Sequence, residues 1–122
     1  MTEAEGPLAV EITPQSDSAG PVVLRVTGDL DHYTGPGLRL AVDEVLRSPG
    51  TGVVADLSGL DYCDSTGLTE IIRAFHRAEA AGVTFSVAGL TPALDRLFRI
   101  AGLDELFPLH PAVQDAVDAL GR

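Results

Sequence analysis

The sequence predicts a single α/β domain, a mixed β-sheet with helices packed largely on one face. Three observations predict it. "LAVEITP" (8–14) alternates apolar and polar residues, and "VVLRVTG" (22–28) follows after the turn-rich "QSDSAGP", which together read as an antiparallel hairpin. From there on, helical and strand-like periodicities alternate, as they do when helices cross over between parallel strands. The 122 residues are 45% hydrophobic, enough for one core and too short for two.

Each element has its own local reason. In "DLDHYTGPG" the chain loops or extends the second strand, and Pro36 suits the first turn of a helix running to about Arg47. Leu38, Ala41, Val42 and Val45 form its apolar stripe, and "SPG" ends it. "GVVADLSGL" (52–60) is a mostly apolar strand suited to the middle of a sheet. A helix near 66–81 follows, with Leu68, Ile71, Ile72, Phe75 and Ala78 at core spacing, Glu70, Arg73 and Arg77 on the wet side, and Gly82 as terminator. "VTFSVAG" (83–89) alternates as a strand. Thr91 caps and Pro92 opens a further helix with Leu94, Leu97, Phe98 and Ala101 on one side. "LFPL" reads as a short edge strand and "PAVQDAVDAL" as a last amphipathic helix. Residues 1–6 read as a flexible N-terminal tail and 7–122 as the domain.

Charge narrows the function. The net charge is −10, which disfavours nucleic acid, whose binding rests on Lys and Arg neutralising phosphates. A basic protein surface is the natural partner. All eight positive side chains are Arg, so a Schiff-base, P-loop or catalytic lysine is excluded. Cys63 is the single cysteine and is expected to be a buried, inert thiol. His32, His76 and His110 show no ligand spacing, and no metal or cofactor is expected. The first residues, "MTEAEGPL", do not form a signal peptide, and no apolar run reaches the ~20 residues that span a bilayer. A cytoplasmic protein with no membrane partner is expected.

Several motifs weaken under physical scrutiny. "GTGVVA" (50–55) has the letters of a dinucleotide loop but leaves a helix and enters a strand, the reverse of what pyrophosphate binding needs. Asp29, Asp31, Asp56, Asp61 and Asp64 would have to converge to hold a hard cation, and read better as solvated loop acids. Ser65 lacks the G-x-S-x-G context and a sequence-adjacent histidine, which argues against a hydrolase triad. "DSTG" (64–67) ahead of an apolar helix is a cap, in which Asp64, Ser65 or Thr66 accepts a bond from a free amide. A hydroxyl there has a second property, because phosphate at a helix N-terminus meets unpaired amides and the positive end of the dipole.

Two segments taken together carry a resemblance. "VTGDLDHYTGPGL" (26–38) followed by "VVADLSGLDYCDSTGL" (53–68) resembles the STAS domain, above all the bacterial anti-sigma factor antagonists of sporulation and general stress; "AGLTPALDRLFRIAGLDELF" (88–107) extends the match over almost the whole chain. The resemblance implies the fold already read from periodicity. It also implies a non-enzymatic switch. The unmodified protein binds an anti-sigma factor serine kinase and frees the sigma factor, the kinase phosphorylates Ser65, and a serine phosphatase restores the active form. Asp31 matches the family aspartate near that serine, and the contact surface is expected to include His32, Asp64, Thr66, Gly67 and Leu68. Thr69 stands where many members have glycine. The alternatives are a STAS module of another signalling or transporter-associated complex, and a nucleotide-binding STAS protein.

Overall fold

The structure is a computed structural model that describes residues 8–14, 20–47, 50 and 52–120; the tail expected over 1–6 lies outside the described residues. Strand β1 (Leu8–Pro14) pairs antiparallel with β2 (Val22–Leu30), with Val10 opposite Val26. Three parallel strands come next, β3 (Gly52–Cys63), β4 (Thr84–Ala88) and β5 (Leu109–His110), in spatial order β1-β2-β3-β4-β5. The connections are α1 (Gly35–Leu46), α2 (Ser65–Ala80) and α3 (Pro92–Ile100), and α4 (Val113–Leu120) closes the described chain. The short last strand falls at Leu109–His110, at the end of and just beyond the expected "LFPL".

An unreversed strand order joined by crossovers of one hand places α1, α2 and α3 on the same face. There Leu38, Val42 and Val45 of α1, Ile71, Ala74 and Ala78 of α2, and Leu94 and Phe98 of α3 pack on Leu24, Val26, Val53, Ala55, Leu57 and Val87. The opposite face has a smaller cover, with Ala116, Val113, Val117 and Leu120 of α4 lying over Val23, Val54 and Ala88. Period-2 alternation assigns the two sets, since Val53 and Val54 point to opposite layers. A ring cluster fastens α2 to β4 and the chain before β5, with Phe85 and Phe107 edge-on at 5.2 Å and Phe75 5.5 Å from Phe107.

Helix α2 corrects two expectations. Leu68, Ile72 and Phe75 are only partly buried, on the flank of the core line that runs through Gly67, Ile71, Ala74 and Ala78. Glu70, expected in water, is buried at 7% exposure. It lies on the flank covered by α1 rather than by the sheet. There Arg39 Nη2 donates to Oε2 at 2.9 Å and Nε to Oε1 at 3.3 Å, a two-pronged bond that satisfies both carboxylate oxygens. Arg77 donates to Asp43 and forms a second tie between the same two helices. Arg73 and Arg77 are exposed as expected, and Gly82 ends the helix turn with φ +73°.

Phe98 is fully buried and joins α3 to the main core. Phe98→Ala is expected to lower stability by about 3–5 kcal/mol, read as a fall in the urea midpoint at unchanged slope.

Candidate functional site

The C-terminal ends of β2 and β3 lie side by side. Their ladder pairs Asp29 with Tyr62 and Leu30 with Cys63. Neighbouring strands run ~4.8 Å apart, so the turns after them, at Asp31 and at Asp64, emerge next to each other. The Asp64 amide donates to the Leu30 carbonyl at 3.4 Å and ties one turn to the other.

The strand carrying Ser65 reaches this point through two bulges. Arg25 and Thr27 pair with Asp56 and Gly59, and Gly28 and Asp29 pair with Leu60 and Tyr62, so β3 gains one residue at each step. Asp56 Oδ1 accepts from the Ser58 amide at 3.0 Å and braces the first bulge. Asp61 is the extra residue at the second. It reverses the alternation, so that Leu60 and Cys63 both face the core while Asp61 and Tyr62 face solvent. This second bulge lengthens β3 to Cys63, beyond the 52–60 expected from periodicity.

Asp64 is the cap of α2. Its Oδ1 accepts from the Gly67 amide at 2.9 Å, with its backbone extended at φ −100° and ψ −170°. The Ser65 and Thr66 hydroxyls therefore take no part in capping. Ser65 is the first residue of the helix and is exposed; its hydroxyl, and the amides of Ser65 and Thr66, have no hydrogen-bond partner among the described residues. Its carbonyl accepts from the Thr69 hydroxyl at 3.0 Å. An exposed hydroxyl thus stands beside free amides at the positive end of a sixteen-residue helix.

Asp31 organises the other turn. Its Oδ1 accepts from the Tyr33 amide at 2.9 Å and the Thr34 amide at 3.1 Å. The buried Thr34 hydroxyl accepts from the Asp31 amide at 2.9 Å and donates to the Asp29 carbonyl at 2.8 Å. These bonds form an Asx turn that leads straight into α1. His32 is exposed and rests edge-on against Tyr33, with ring centroids 5.4 Å apart.

The sequence-predicted residues therefore gather at one end of the sheet but do different work. Asp31, Asp64 and Thr66 are half-buried, His32 is exposed, and Leu68 is half-buried against the core. Gly67 is buried, and a Cβ there would lie 2.4 Å from the Leu30 carbonyl oxygen and 2.9 Å from Cys63 Sγ. Of the five carboxylates that could suggest a hard-cation site, those of Asp31, Asp56 and Asp64 serve their own backbone turns. Among the described residues no three His, Cys, Asp or Glu side chains are placed to hold a metal ion. Two residues escape a reading of the sequence alone, Tyr33 and Tyr62, which are 87% and 50% exposed at this same edge. They are the chain's only tyrosines, and each lies within one of the two motif segments.

Two sequence segments meeting at adjacent strand ends, with an aspartate-capped serine between them, match a known domain. The family model of the STAS domain covers residues 11–116. The chain belongs to the STAS domain family. Among similar proteins is the anti-sigma-F factor antagonist RsfB of Mycobacterium tuberculosis, 31% identical over 84% of this chain and 83% of that one. The anti-sigma F factor antagonist of Paenibacillus polymyxa is 28% identical over 83% and 87%. The crystal structure of an anti-sigma factor antagonist from Mycobacterium paratuberculosis superposes with a TM-score of 0.83 at 28% identity, over 99% of this chain and all of that one. These relatives place the STAS domain described here among regulatory binding proteins rather than enzymes.

In this STAS domain the Gly67 contact is against backbone, which cannot swing aside. Gly67→Ala is expected to cost about 1–3 kcal/mol, seen as a lower thermal midpoint. Burial, and secondarily the charge of Asp64, pushes the Cys63 thiol up to about 12. At pH 8 the folded protein should therefore hold about a thousandfold less thiolate than an ordinary cysteine. Thiol titration should be correspondingly slow until urea unfolds the chain.

Proposed function

We propose that this STAS domain is a cytoplasmic anti-sigma factor antagonist. Its unmodified form binds an anti-sigma factor serine kinase and frees the sigma factor, and phosphorylation of Ser65 switches it off. A serine phosphatase reverses the modification. The observation that carries this reading is the Ser65 hydroxyl, which is exposed, unused in capping, and set at the helix start beside the Asp31 turn. The names of the relatives support the antagonist role. The strand order also favours a binding role over nucleotide binding, because the crevice that takes nucleotides in open α/β sheets forms where strand order reverses.

The chemistry is a phosphoryl transfer performed by the partner. Ser65 Oγ attacks the γ-phosphorus of the kinase's ATP; the new O–P bond forms as the bond to the β,γ-bridging oxygen breaks. ADP is the leaving group and stays in the kinase's nucleotide site, and the hydroxyl proton passes to a base of the kinase. This domain contributes the fixed position of Oγ. Because Asp64 and not Ser65 makes the cap bond, the phosphate forms without costing the helix its cap. The product phosphate carries about −1.5 to −2 charge, meets the free amides of Ser65 and Thr66, and leaves the fold intact. Across the interface that charge lies against the ADP phosphates and beside Asp64. Repulsion and desolvation then both act against the complex. A loss of ~3 kcal/mol weakens binding more than a hundredfold.

The test uses the anti-sigma factor kinases of the host, each purified and titrated with this protein. Ser65→Ala is expected to stay folded, bind, and take no phosphate; Ser65→Asp is expected to bind less well. Asp31→Asn keeps an acceptor for the turn and isolates the charge, and is expected to weaken binding with little change in melting. Phosphate mapped to Thr66, or equal affinity of the phosphorylated and unmodified forms, would sink the mechanism.

A further inference from the structure

We infer that Tyr33 and Tyr62 are the aromatic anchors of the partner surface, and that they receive arginine side chains from the anti-sigma factor kinase. The inference rests on the proposed function and adds to it the chemistry of the contact.

Both rings are offered to solvent from backbone that is already fixed. The Tyr33 amide is held by Asp31 Oδ1, and Tyr62 is paired in the ladder with Asp29. Tyr62 faces outward because of the bulge at Asp61; regular alternation from the buried Leu60 would have turned it into the core and Cys63 out. Neither phenol hydroxyl has a hydrogen-bond partner among the described residues, and the one ring contact that Tyr33 makes is with exposed His32. Tyrosine offers a large ring with only two side-chain torsions to fix on docking, which is why it is enriched among the few residues that dominate an interface.

Charge selects what docks there. Asp29, Asp31, Asp61 and Asp64 line the same strand ends, and the sequence contains no Arg or Lys over 26–38 or 48–72. An acidic edge bearing two aromatic faces matches guanidinium groups, which stack on the rings while their N–H groups reach the carboxylates. Ser65 itself faces the ATP phosphates, so the cationic contacts belong to the surround and the anionic one to the centre.

The experiment titrates each purified host kinase with wild type and four variants, at low and high salt. Tyr33→Ala and Tyr62→Ala are each expected to weaken binding about tenfold or more. Tyr33→Phe and Tyr62→Phe, which keep the ring, should stay within about threefold. High salt should weaken the wild-type complex. Circular dichroism should show all four variants folded, since both positions are exposed; were an alanine variant to unfold, Tyr33→Lys and Tyr62→Lys, which set a cation against the partner's, decide by the same loss of binding. If wild type binds no host kinase, the proposed function falls and this inference with it. If wild type binds and the alanine or lysine variants bind within twofold of it, the inference alone is overturned.

Discussion

The site depends on one close approach, the packing of Gly67 against the carbonyl of Leu30. Strand β2 ends at Leu30, and α2 can begin directly above that end only because residue 67 has no side chain to hold it off. The same carbonyl accepts the Asp64 amide, so the cap, the strand end and the buried Cys63 share one knot of backbone. From it the helix runs over the sheet on a line of Gly67, Ile71, Ala74 and Ala78, three small residues and one large anchor. Ser65 gains its exposed position from this arrangement rather than from contacts of its own.

The bulges of β3 supply the second constraint. Between Val22 and Leu30 of β2 the facing stretch of β3, Val53 to Cys63, carries two more residues, and each enters as a bulge. Placing them beyond Asp56 leaves the apolar run from Gly52 to Ala55 regular and concentrates the irregularity near the site. Each insertion re-aims the side chains beyond it. The second one both hides Cys63 and presents Tyr62, so the inert thiol and the exposed ring have a single cause.

Helices α1 and α2 are joined by charge as well as by apolar contact. Glu70 is buried, but the guanidinium of Arg39 meets both of its oxygens, and Gly35 at the start of α1 leaves room for its side chain. A carboxylate there also faces the positive end of α1. The two turns that make the site are therefore braced from behind as well as by the strands. The proposed partner would meet a pre-braced support here, which lowers the ordering cost of association.

The sequence by itself determined the element order, the hairpin, the stripe of α1, the caps at Thr91 and Gly82, and the two segments that carry the family resemblance. These are local matters: periodicity, turn chemistry and cap residues act within a few positions, and a pattern of letters records them. It left open which of Asp64, Ser65 and Thr66 caps α2, because all three side chains accept hydrogen bonds; the extended backbone at Asp64 decided it. It put Glu70 in water because charge is the only local signal there, whereas burial on that flank comes from α1, whose Arg39 lies thirty-one residues earlier in the chain. It passed over Tyr33 and Tyr62 because exposure of an aromatic depends on strand register, and a bulge shifts register without leaving a mark in composition. Only the tertiary structure, by setting β2 beside β3 and adding one residue at Asp61, turned two motifs far apart in sequence into a single acidic, tyrosine-bearing edge around Ser65.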